Sequence, residues 1–433
     1  MKIALGVLLA GALALGPQHA GATDIASIQR AAAQYQNANE RLQTMFRAAL
    51  LDTTKLAQFE PDGTAYVKTG DIPAEWLRDA SAQVRPYLYY AKSDPQVRVL
   101  LRAIIAREAK YLQVDPYANA FTLDYKVWEQ KFELDSLAYP VTLAWSYWKA
   151  TRDASIFTGE ESKALDTTLA TMQREENHSA NSSYTHKEMV GGKGRPVGPT
   201  GMIWTGFRPS DDACYYNYLI PSEMFAVVAL DDMADIERSI YRDSGKSKQA
   251  ATLRDRVRDG IRRYGIVPSP SGSGPIYAYE VDGLGHAIVT DDANIPSLLS
   301  APYIGYTSNK DPVYVNTRSF LLSLSNPSFF TGTMARGIGS YHTPDHWIWP
   351  LALIMQGITT NGSMEKADVL DELLASDPGD HLLHESFDPN DPKKFTRADF
   401  GWPNALFSEF VLTSFQGVKP IPMGNVPGAV GTK

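Results

Sequence analysis

The chain has 433 residues, is 44% apolar, carries a formal net charge of −8 and contains one cysteine. Its acidic balance argues against nucleic acid and anionic membrane surfaces as partners, and a single cysteine excludes an intramolecular disulfide and a cysteine-based zinc site. The length suits one large domain or two ordinary ones.

The first predicted element is a secretory signal peptide over residues 1–22. Lys2 gives a positive start, residues 3–15 form a short apolar run, and Ala20-Gly21-Ala22 has the small side chains of a cleavage site. The run is too short to span a membrane, and no later stretch is expected to cross one. We therefore expect an exported protein, periplasmic or secreted, whose mature part is one domain over residues 23–433.

Six later segments share one pattern: an Asp, then a Pro, then an apolar run with helical spacing. A short polar side chain can cap a helix, and Pro is tolerated in the first turn, so each segment predicts a helix start. A helix that is apolar on most sides is buried. The segments are Asp79 to Pro86, Asp135 to Pro140, Asp212 to Pro221, Asp292 to Pro296, Asp345 to Pro350 and Asp399 to Pro403.

Amphipathic stretches lie between these predicted inner helices. The clearest covers residues 95–112, which have one apolar face and the start signal Asp94-Pro95. An alternation of buried and surface helices, six times over, predicts an all-α fold, an (α/α)6 barrel. Residues 25–51 are expected to supply the outer helix that closes the ring. The alternative is an irregular helical protein.

The loops that enter the inner helices share one rim if those helices run parallel. They are rich in carboxylates, Arg, His and aromatic side chains, which suit a site for a neutral sugar. Glycoside hydrolysis uses two carboxyl groups, of which one protonates the leaving oxygen. That acid needs a raised pKa, from burial or from a neighbouring negative charge. The adjacent Asp211 and Asp212 offer such a pair, although both also fit ordinary helix caps.

Other chemistries fit the sequence less well. It contains no Gly-x-Ser-x-Gly elbow of a serine hydrolase and no phosphate-binding loop of the usual spacing. His342 and His346 are spaced like zinc ligands on a helix, but Pro344 interrupts that turn and no Glu lies between them. No Asp-rich calcium loop is evident. We expect neither a metal nor a cofactor.

Three long motifs of the chain resemble glycoside hydrolase family 125. They are Gly70-Asp71-Ile72-Pro73-x-x-Trp76-Leu77-Arg78-Asp79, Gly206-Phe207-Arg208-Pro209-Ser210-Asp211-Asp212 and His384-Glu385-Ser386-Phe387, and Trp402-Pro403-Asn404 extends the likeness. The likeness covers nearly the whole mature chain. It implies a metal-independent, inverting exo-α-1,6-mannosidase on an (α/α)6 barrel, which releases terminal mannose from oligosaccharides such as N-glycan fragments.

The resemblance also implies roles for individual residues. The acid is Asp211 or Asp212, and the base is Glu385. We favour Asp212 as the acid, with Asp211 keeping its proton in place, and expect the acid and the base to lie roughly 6.5–9.5 Å apart with a water between them. A monomer is expected. Candidate substrate contacts are Trp76, Arg78, Asp79, Asp124, Arg208, Tyr341, His342, His384 and Trp402.

Two other functions stay open on sequence alone. Another (α/α)6 glycosidase, similar to α-glucosidases or to calcium-dependent α-mannosidases, would share the fold. A non-catalytic glycan-binding protein would share the acidic and aromatic rim. Assays of mannose release from differently linked mannobioses, with and without a chelator, distinguish the α-1,6-mannosidase from the other glycosidases. Measurable turnover that is lost in Asp212→Asn and Glu385→Gln distinguishes an enzyme from a glycan-binding protein.

Overall fold

The computed structural model describes residues 25–272 and 274–424. The proposed signal peptide over residues 1–22 lies outside the described residues. The helices are α1 (Ala26–Gln34), α2 (Glu40–Leu56), α3 (Leu77–Gln83), α4 (Leu88–Ala91), α5 (Pro95–Val114), α6 (Leu134–Thr151), α7 (Gly159–Glu175), α8 (His178–Asn181), α9 (Ile220–Ile236), α10 (Ser244–Tyr264), α11 (Pro312–Leu321), α12 (Pro350–Thr359), α13 (Ser363–Ala375) and α14 (Gly401–Phe415).

Short strands pair in antiparallel fashion between the helices, as β1–β2, β3–β4–β5, β6–β9–β10, β7–β8, β11–β12 and β13–β14. Their bounds are β1 (Ala57–Phe59), β2 (Ala65–Val67), β3 (Glu75–Trp76), β4 (Ala120–Phe121), β5 (Val127–Glu129), β6 (Tyr218–Leu219), β7 (Ile266–Pro268), β8 (Pro275–Tyr277), β9 (Glu280–Val281), β10 (Ala287–Ile288), β11 (Phe329–Thr331), β12 (Arg336–Ile338), β13 (Ser386–Asp388) and β14 (Asp391–Thr396).

The helices form two concentric layers. In α6, α9, α12, α14 and the α3–α4 pair, nearly every side is buried, whereas α2, α5, α7, α10, α11 and α13 each bury one face. The inner helices pack in the order α9–α6–α3–α14–α12. The arrangement is the predicted (α/α)6 barrel. None of the described helices has the length and hydrophobicity needed to cross a bilayer.

The closing outer helix is divided in two. The predicted helix over residues 25–51 is broken between α1 and α2, because Asn39 accepts a hydrogen bond from the Leu42 N–H at 3.1 Å and so starts a new helix. Arg47 then ties the two pieces together by donating to the carbonyl of Tyr35 at 2.8 Å. The second piece, α2, packs against α14 and closes the ring, as predicted.

At the starts of the inner helices, the predicted prolines lie where they were expected more often than the predicted aspartates do. Pro221, Pro350 and Pro403 lie in the first turns of α9, α12 and α14. No predicted Asp caps its helix, because none is the residue just before a helix; Asp79 and Asp135 lie inside the first turns of α3 and α6. Trp76 and Leu219 precede α3 and α9 as members of β3 and β6, which fixes the entry without a side-chain cap.

The fourth predicted inner helix does not form. Residues 292–306 are turns and bends that lie in the core, where a helix starting near Asp292 and Pro296 was expected. Asp291 accepts hydrogen bonds from the N–H groups of Leu298 and Leu299 at 2.9 and 3.0 Å. The side chain therefore satisfies backbone donors that a helix would otherwise have paired. Two other prolines do not lie in the first turn of an α-helix: Pro86 lies at the start of the 3₁₀ helix Arg85–Tyr87, and Pro140 lies inside α6.

Candidate active site

A cavity of about 260 Å³ lies at the end of the barrel where the inner helices begin. Segments that precede or start α3, α9, α12 and α14 contribute to its wall, so distant parts of the chain meet there. The lining residues are Thr69, Ile72, Trp76, Arg78, Asp79, Pro209, Ser210, Asp211, Asn294, His342, Trp349, Glu385, Arg397, Phe400 and Trp402.

Seven of the predicted site residues line this cavity and five do not. Within the wall are Trp76, Arg78, Asp79, Asp211, His342, Glu385 and Trp402. Outside it are Asp124, Arg208, Asp212, Tyr341 and His384. The structure thus brings together one acid of the double-Asp motif and the Glu of the His-Glu-Ser-Phe motif, which are far apart in the sequence.

Glu385 precedes β13 and is held against the cavity by the β13–β14 hairpin. Its side chain is buried, and this burial raises the pKa of its carboxyl group, while the positive charge of Arg397 opposes the increase. The Nη1 atom of Arg397 lies 4.0 Å from Glu385 Oε1. Arg397 itself donates two hydrogen bonds to Asp71 Oδ1, at 2.8 and 2.6 Å, and covers the ring of Phe400. A buried carboxylate beside a fixed cation is suited to accept a proton from water.

Asp211 stands in a tight turn with a φ of 66°, a left-handed conformation that Asp tolerates better than most residues. Its backbone N–H donates to the Arg208 carbonyl at 2.9 Å. Its Oδ1 accepts a hydrogen bond from Asn119 Nδ2 at 3.1 Å and lies 3.7 Å from Arg78 Nη2. These contacts fix the carboxyl group at the cavity wall.

The side chain of Asp212 has different contacts from that of Asp211. Its Oδ1 lies 3.6 Å from His342 Nδ1, and its Oδ2 accepts a hydrogen bond from Ser210 Oγ at 3.2 Å. Although burial opposes the change, the ion pair with His342 lowers the pKa of Asp212. The same ion pair raises the pKa of His342 to about 9. Asp212 is therefore an ionised partner that keeps a cationic His342 at the cavity wall.

Arg78 is the centre of a buried cluster of charges beneath the cavity. Its guanidinium group lies 2.6 Å from Glu133, 3.2 Å from Asp135, 3.4 Å from Asp79 and 3.7 Å from Asp211. Because burial outweighs the attraction of Arg78, the pKa of Asp79 rises to about 6. One cation thus faces four carboxyl groups, and burial raises the pKa of two of them, Glu133 and Asp135, against the attraction of Arg78.

Four buried polar atoms of residues that line the cavity lack a hydrogen-bond partner among the described residues. They are Trp76 Nε1, Arg78 Nε, Asp79 Oδ2 and Asn294 Nδ2, of which Arg78 Nε and Asp79 Oδ2 form an ion pair at 3.4 Å. Buried polar groups are normally hydrogen-bonded. The two remaining donors, on Trp76 and Asn294, therefore suit a ligand with hydroxyl groups.

The predicted residues outside the cavity divide into supporting and exposed ones. Arg208 donates to Glu280 at 2.6 Å and covers the ring of Tyr279, which anchors the loop that carries Asp211. His384 stacks on Phe395 and lies 3.0 Å from the Arg397 carbonyl oxygen, which braces the hairpin beside Glu385. Asp124 and Tyr341 have exposed side chains.

Several lining or supporting residues were not among the predicted site residues. Asn119, Asn294 and Arg397 reach the site from a strand edge, from the turns that replace an inner helix, and from a hairpin end. No spacing rule marks such positions in a single sequence. Glu133, the residue before α6, was likewise not among the predicted site residues. In the described part of the chain, no group of three His, Cys, Asp or Glu side chains is arranged to hold a metal ion.

The chain is similar to known proteins along most of its length. A family model described as metal-independent alpha-mannosidase, GH125, matches residues 39–125 and 122–412. The meiotically up-regulated gene 157 protein of Schizosaccharomyces pombe is 37% identical over 388 residues, which are 80% of this chain and 76% of that protein.

Two solved structures are also similar to this chain. A metal-independent α-mannosidase of Streptococcus pneumoniae, in a non-productive complex with α-1,6-mannobiose, is 40% identical with a TM-score of 0.85, over 90% of this chain and 96% of that one. A bacterial glucoamylase complexed with acarbose is 12% identical with a TM-score of 0.64, over 90% of this chain and 58% of that one. The second likeness concerns the fold alone.

Proposed function

The chain belongs to the metal-independent α-mannosidases of glycoside hydrolase family 125, and from this we propose that it is an exo-acting α-1,6-mannosidase that inverts the anomeric configuration. The observation that carries the proposal is the meeting of Asp211 and Glu385 in one small cavity. The α-1,6 linkage is inferred from the mannobiose bound by the pneumococcal relative.

In the proposed reaction Asp211 is the general acid. It protonates the glycosidic oxygen of the terminal mannose, and the bond between that oxygen and the anomeric carbon breaks. Glu385 takes a proton from a water molecule, whose oxygen attacks the opposite face of the sugar. Asp211 is preferred to Asp212 because Asp212 is paired with His342 and does not line the cavity.

The remaining wall of the cavity suits recognition of one sugar ring. Trp76 and Trp402 offer ring faces, and the unpaired N–H donors of Trp76 and Asn294 can bond sugar hydroxyls. A cavity of about 260 Å³ favours a terminal sugar over an internal one, which supports exo-action. Oligosaccharides that end in α-mannose are therefore the proposed substrates.

The direct test is sugar release from α-1,6-, α-1,3- and α-1,2-mannobiose and from maltose. We expect release from the α-1,6 isomer in preference to the others. Asp211→Asn and Glu385→Gln should each lower kcat on it by about 10²–10⁴-fold. Asp212→Asn should lower it less, because its carboxylate acts through His342. Asp259→Asn, on the exposed face of α10, is the matched control and should leave kcat unchanged.

Three results would contradict the proposal. Full activity in Asp211→Asn together with a large loss in Asp212→Asn would return the acid role to Asp212. Preference for maltose would indicate an α-glucosidase that shares only the fold. A protein that binds mannobiose but never releases mannose would be a glycan-binding protein.

We also propose that residues 1–22 direct export and that the mature chain is a monomer. The support for export is the charged, apolar and small-residue sequence of the signal peptide. Expression of the full chain in a bacterial host, followed by N-terminal sequencing of the periplasmic and secreted protein, should find a start near residue 23. Light scattering on that protein should give the mass of one chain.

A further inference from the structure

Four side chains that are not fully buried meet at the end of the barrel that holds the cavity, and the reaction above assigns none of them a part. They are Arg195, Tyr215, Tyr216 and His286, which we call the outer platform. Tyr215 and Tyr216 come just before β6, which leads into the start of α9, and His286 lies in the turn between β9 and β10, which belong to the same sheet as β6. Tyr215 is 47% exposed, so its ring is accessible from solvent.

The side chains of the outer platform contact one another. The ring centroids of Tyr215 and Tyr216 are 4.9 Å apart at an angle of 80°, and His286 stacks on Tyr216 at 5.9 Å and 22°. The guanidinium carbon of Arg195 lies 4.0 Å from the centroid of Tyr215. In the described part of the chain Arg195 forms no ion pair, so its N–H groups are available. Aromatic rings pack against the apolar C–H face of a sugar, and a guanidinium can donate to its hydroxyl groups.

A buried carboxylate joins the outer platform to the loop that carries the proposed acid. Glu280 Oε2 accepts hydrogen bonds from the backbone N–H groups of Tyr215 and Tyr216, at 2.9 and 2.8 Å. Its Oε1 accepts from Arg208 Nε at 2.6 Å, and Arg208 begins the turn that presents Asp211 to the cavity. The position of the two tyrosines is therefore fixed relative to the acid.

Two loops that contribute no α-helix to the barrel bring the other members of the outer platform into place. The segment between α8 and β6 carries Arg195, and the turn between β9 and β10 carries His286. These loops are joined to each other, because the N–H of Gly198 donates to the carbonyl of Asp282 at 2.7 Å. Asp282 Oδ2 also lies 2.6 Å from His286 Nδ1 and orients that ring. The outer platform is thus held by protein contacts on each side.

The place of the outer platform relative to Asp211 suits the leaving part of the substrate. The acid protonates the oxygen that joins the terminal mannose to the next sugar, so the sugars beyond that oxygen lie on the acid's side of the cavity. Tyr215 follows Asp211 by four residues, which separate their Cα atoms by at most about 14 Å. A cavity of about 260 Å³ favours a single sugar. Further sugars of an oligosaccharide must therefore lie outside the cavity, within reach of the outer platform.

We propose that the outer platform binds the leaving part of an α-1,6-linked mannose oligosaccharide, so that substrates longer than a disaccharide bind more tightly. The inference rests on the proposed function, since it takes Asp211 as the acid and α-1,6-mannosides as substrates. The rings of Tyr215, Tyr216 and His286 offer contacts to more than one sugar. Arg195 adds hydrogen-bond donors at one edge.

The test compares kcat/KM for α-1,6-mannotetraose with kcat/KM for α-1,6-mannobiose, both from initial rates. We expect the wild-type protein to prefer the tetraose. Tyr215→Ala and Tyr216→Ala remove ring faces and should each lower the tetraose-to-biose ratio by about 3–10-fold, through KM for the tetraose. Tyr216→Phe keeps the ring and should lower the ratio less than Tyr216→Ala does.

Further variants keep the test independent of folding at the tyrosines. Arg195→Gln and His286→Ala change side chains of surface loops and should lower the same ratio by smaller amounts. Phe415→Ala is the matched control, because Phe415 is 40% exposed and ends α14, whose first turn lies at the cavity, so it stands at the opposite end of the barrel. Its ratio should equal that of the wild type.

The outcomes separate this inference from the proposed function. If mannobiose is hydrolysed but the tetraose is not preferred, or if the platform variants keep the wild-type ratio, the role of the outer platform is overturned and the proposed function stands. Equal losses on both substrates in Tyr215→Ala and Tyr216→Ala would also overturn it, since they would indicate an effect on the cavity itself. If neither substrate is hydrolysed, the proposed function fails and this inference fails with it.

Discussion

Asp211 and Asp212 are neighbours in the sequence with different surroundings in the fold. Asp211 has a φ of 66° and lines the cavity, whereas Asp212 pairs with His342. The composition of the motif predicts two acids at the rim, but one backbone angle decides which of them enters the cavity. That angle depends on the hydrogen bonds that close the turn around Arg208, and a single sequence does not specify it.

The pair of His342 and Asp212 gives a prediction about pH. The pKa of His342 is about 9 in the folded protein, against an ordinary 6.5. While Asp212 is ionised, the pair should therefore stabilise the fold fully below pH 6.5 and lose this contribution as the pH rises through about 9. Asp212→Asn should lower the pKa of His342, as measured by NMR of ¹³C-labelled histidine. Asp345→Asn, which affects the exposed His346, is the control. An unchanged pKa in Asp212→Asn would contradict the pairing.

Arg397 gives a second prediction at this scale. The positive charge of Arg397 opposes the effect of burial on Glu385, so it lowers the pKa of the proposed base. Because the base must be ionised, the acidic limb of kcat/KM should lie above pH 4.5, the ordinary pKa of a Glu. Arg397→Gln should move that limb to higher pH, and Arg397→Lys should move it less. A limb that stays in place in Arg397→Gln would remove Glu385 as the group that titrates there.

The elements of the fold were predicted best where local side chains decide the backbone. Asp94 and Pro95 start α5 as expected, with Asp94 Oδ1 accepting from the Gln96 N–H at 2.7 Å. At Asp292 the same Asp-and-Pro pattern fails, because Asp291 holds the following backbone in turns. The difference lies in which backbone donors the aspartate satisfies, and the two segments do not reveal it in sequence.

The cap of α5 can be tested by substitution. Asp94→Ala removes the acceptor for the first N–H groups of the helix, so it should lower the free energy of unfolding by about 1 kcal/mol. Asp94→Asn keeps an acceptor oxygen and should cost less. Urea unfolding followed by circular dichroism measures both. Equal stability of Asp94→Ala and the starting protein would show that the cap does not stabilise α5.

For the whole molecule, the alternation of buried and amphipathic helices was sufficient to predict the barrel. The parallel inner helices begin around one cavity, and the partial positive charge at helix starts favours carboxylates there. Asp79 and Asp135 occupy such first turns. The sequence could not show that Asn294 and Arg397 complete the wall, because their positions depend on packing between segments far apart in the chain.

The central claim is that two carboxyl groups facing one cavity hydrolyse an α-mannoside by a single displacement without a metal. Proton NMR of α-1,6-mannobiose, with the enzyme kept in excess chelator, tests it most directly because the anomeric signals report both product and stereochemistry. We expect β-mannose to appear first and then to equilibrate with the α-anomer. First appearance of α-mannose, or no mannose until calcium is added, would contradict the account.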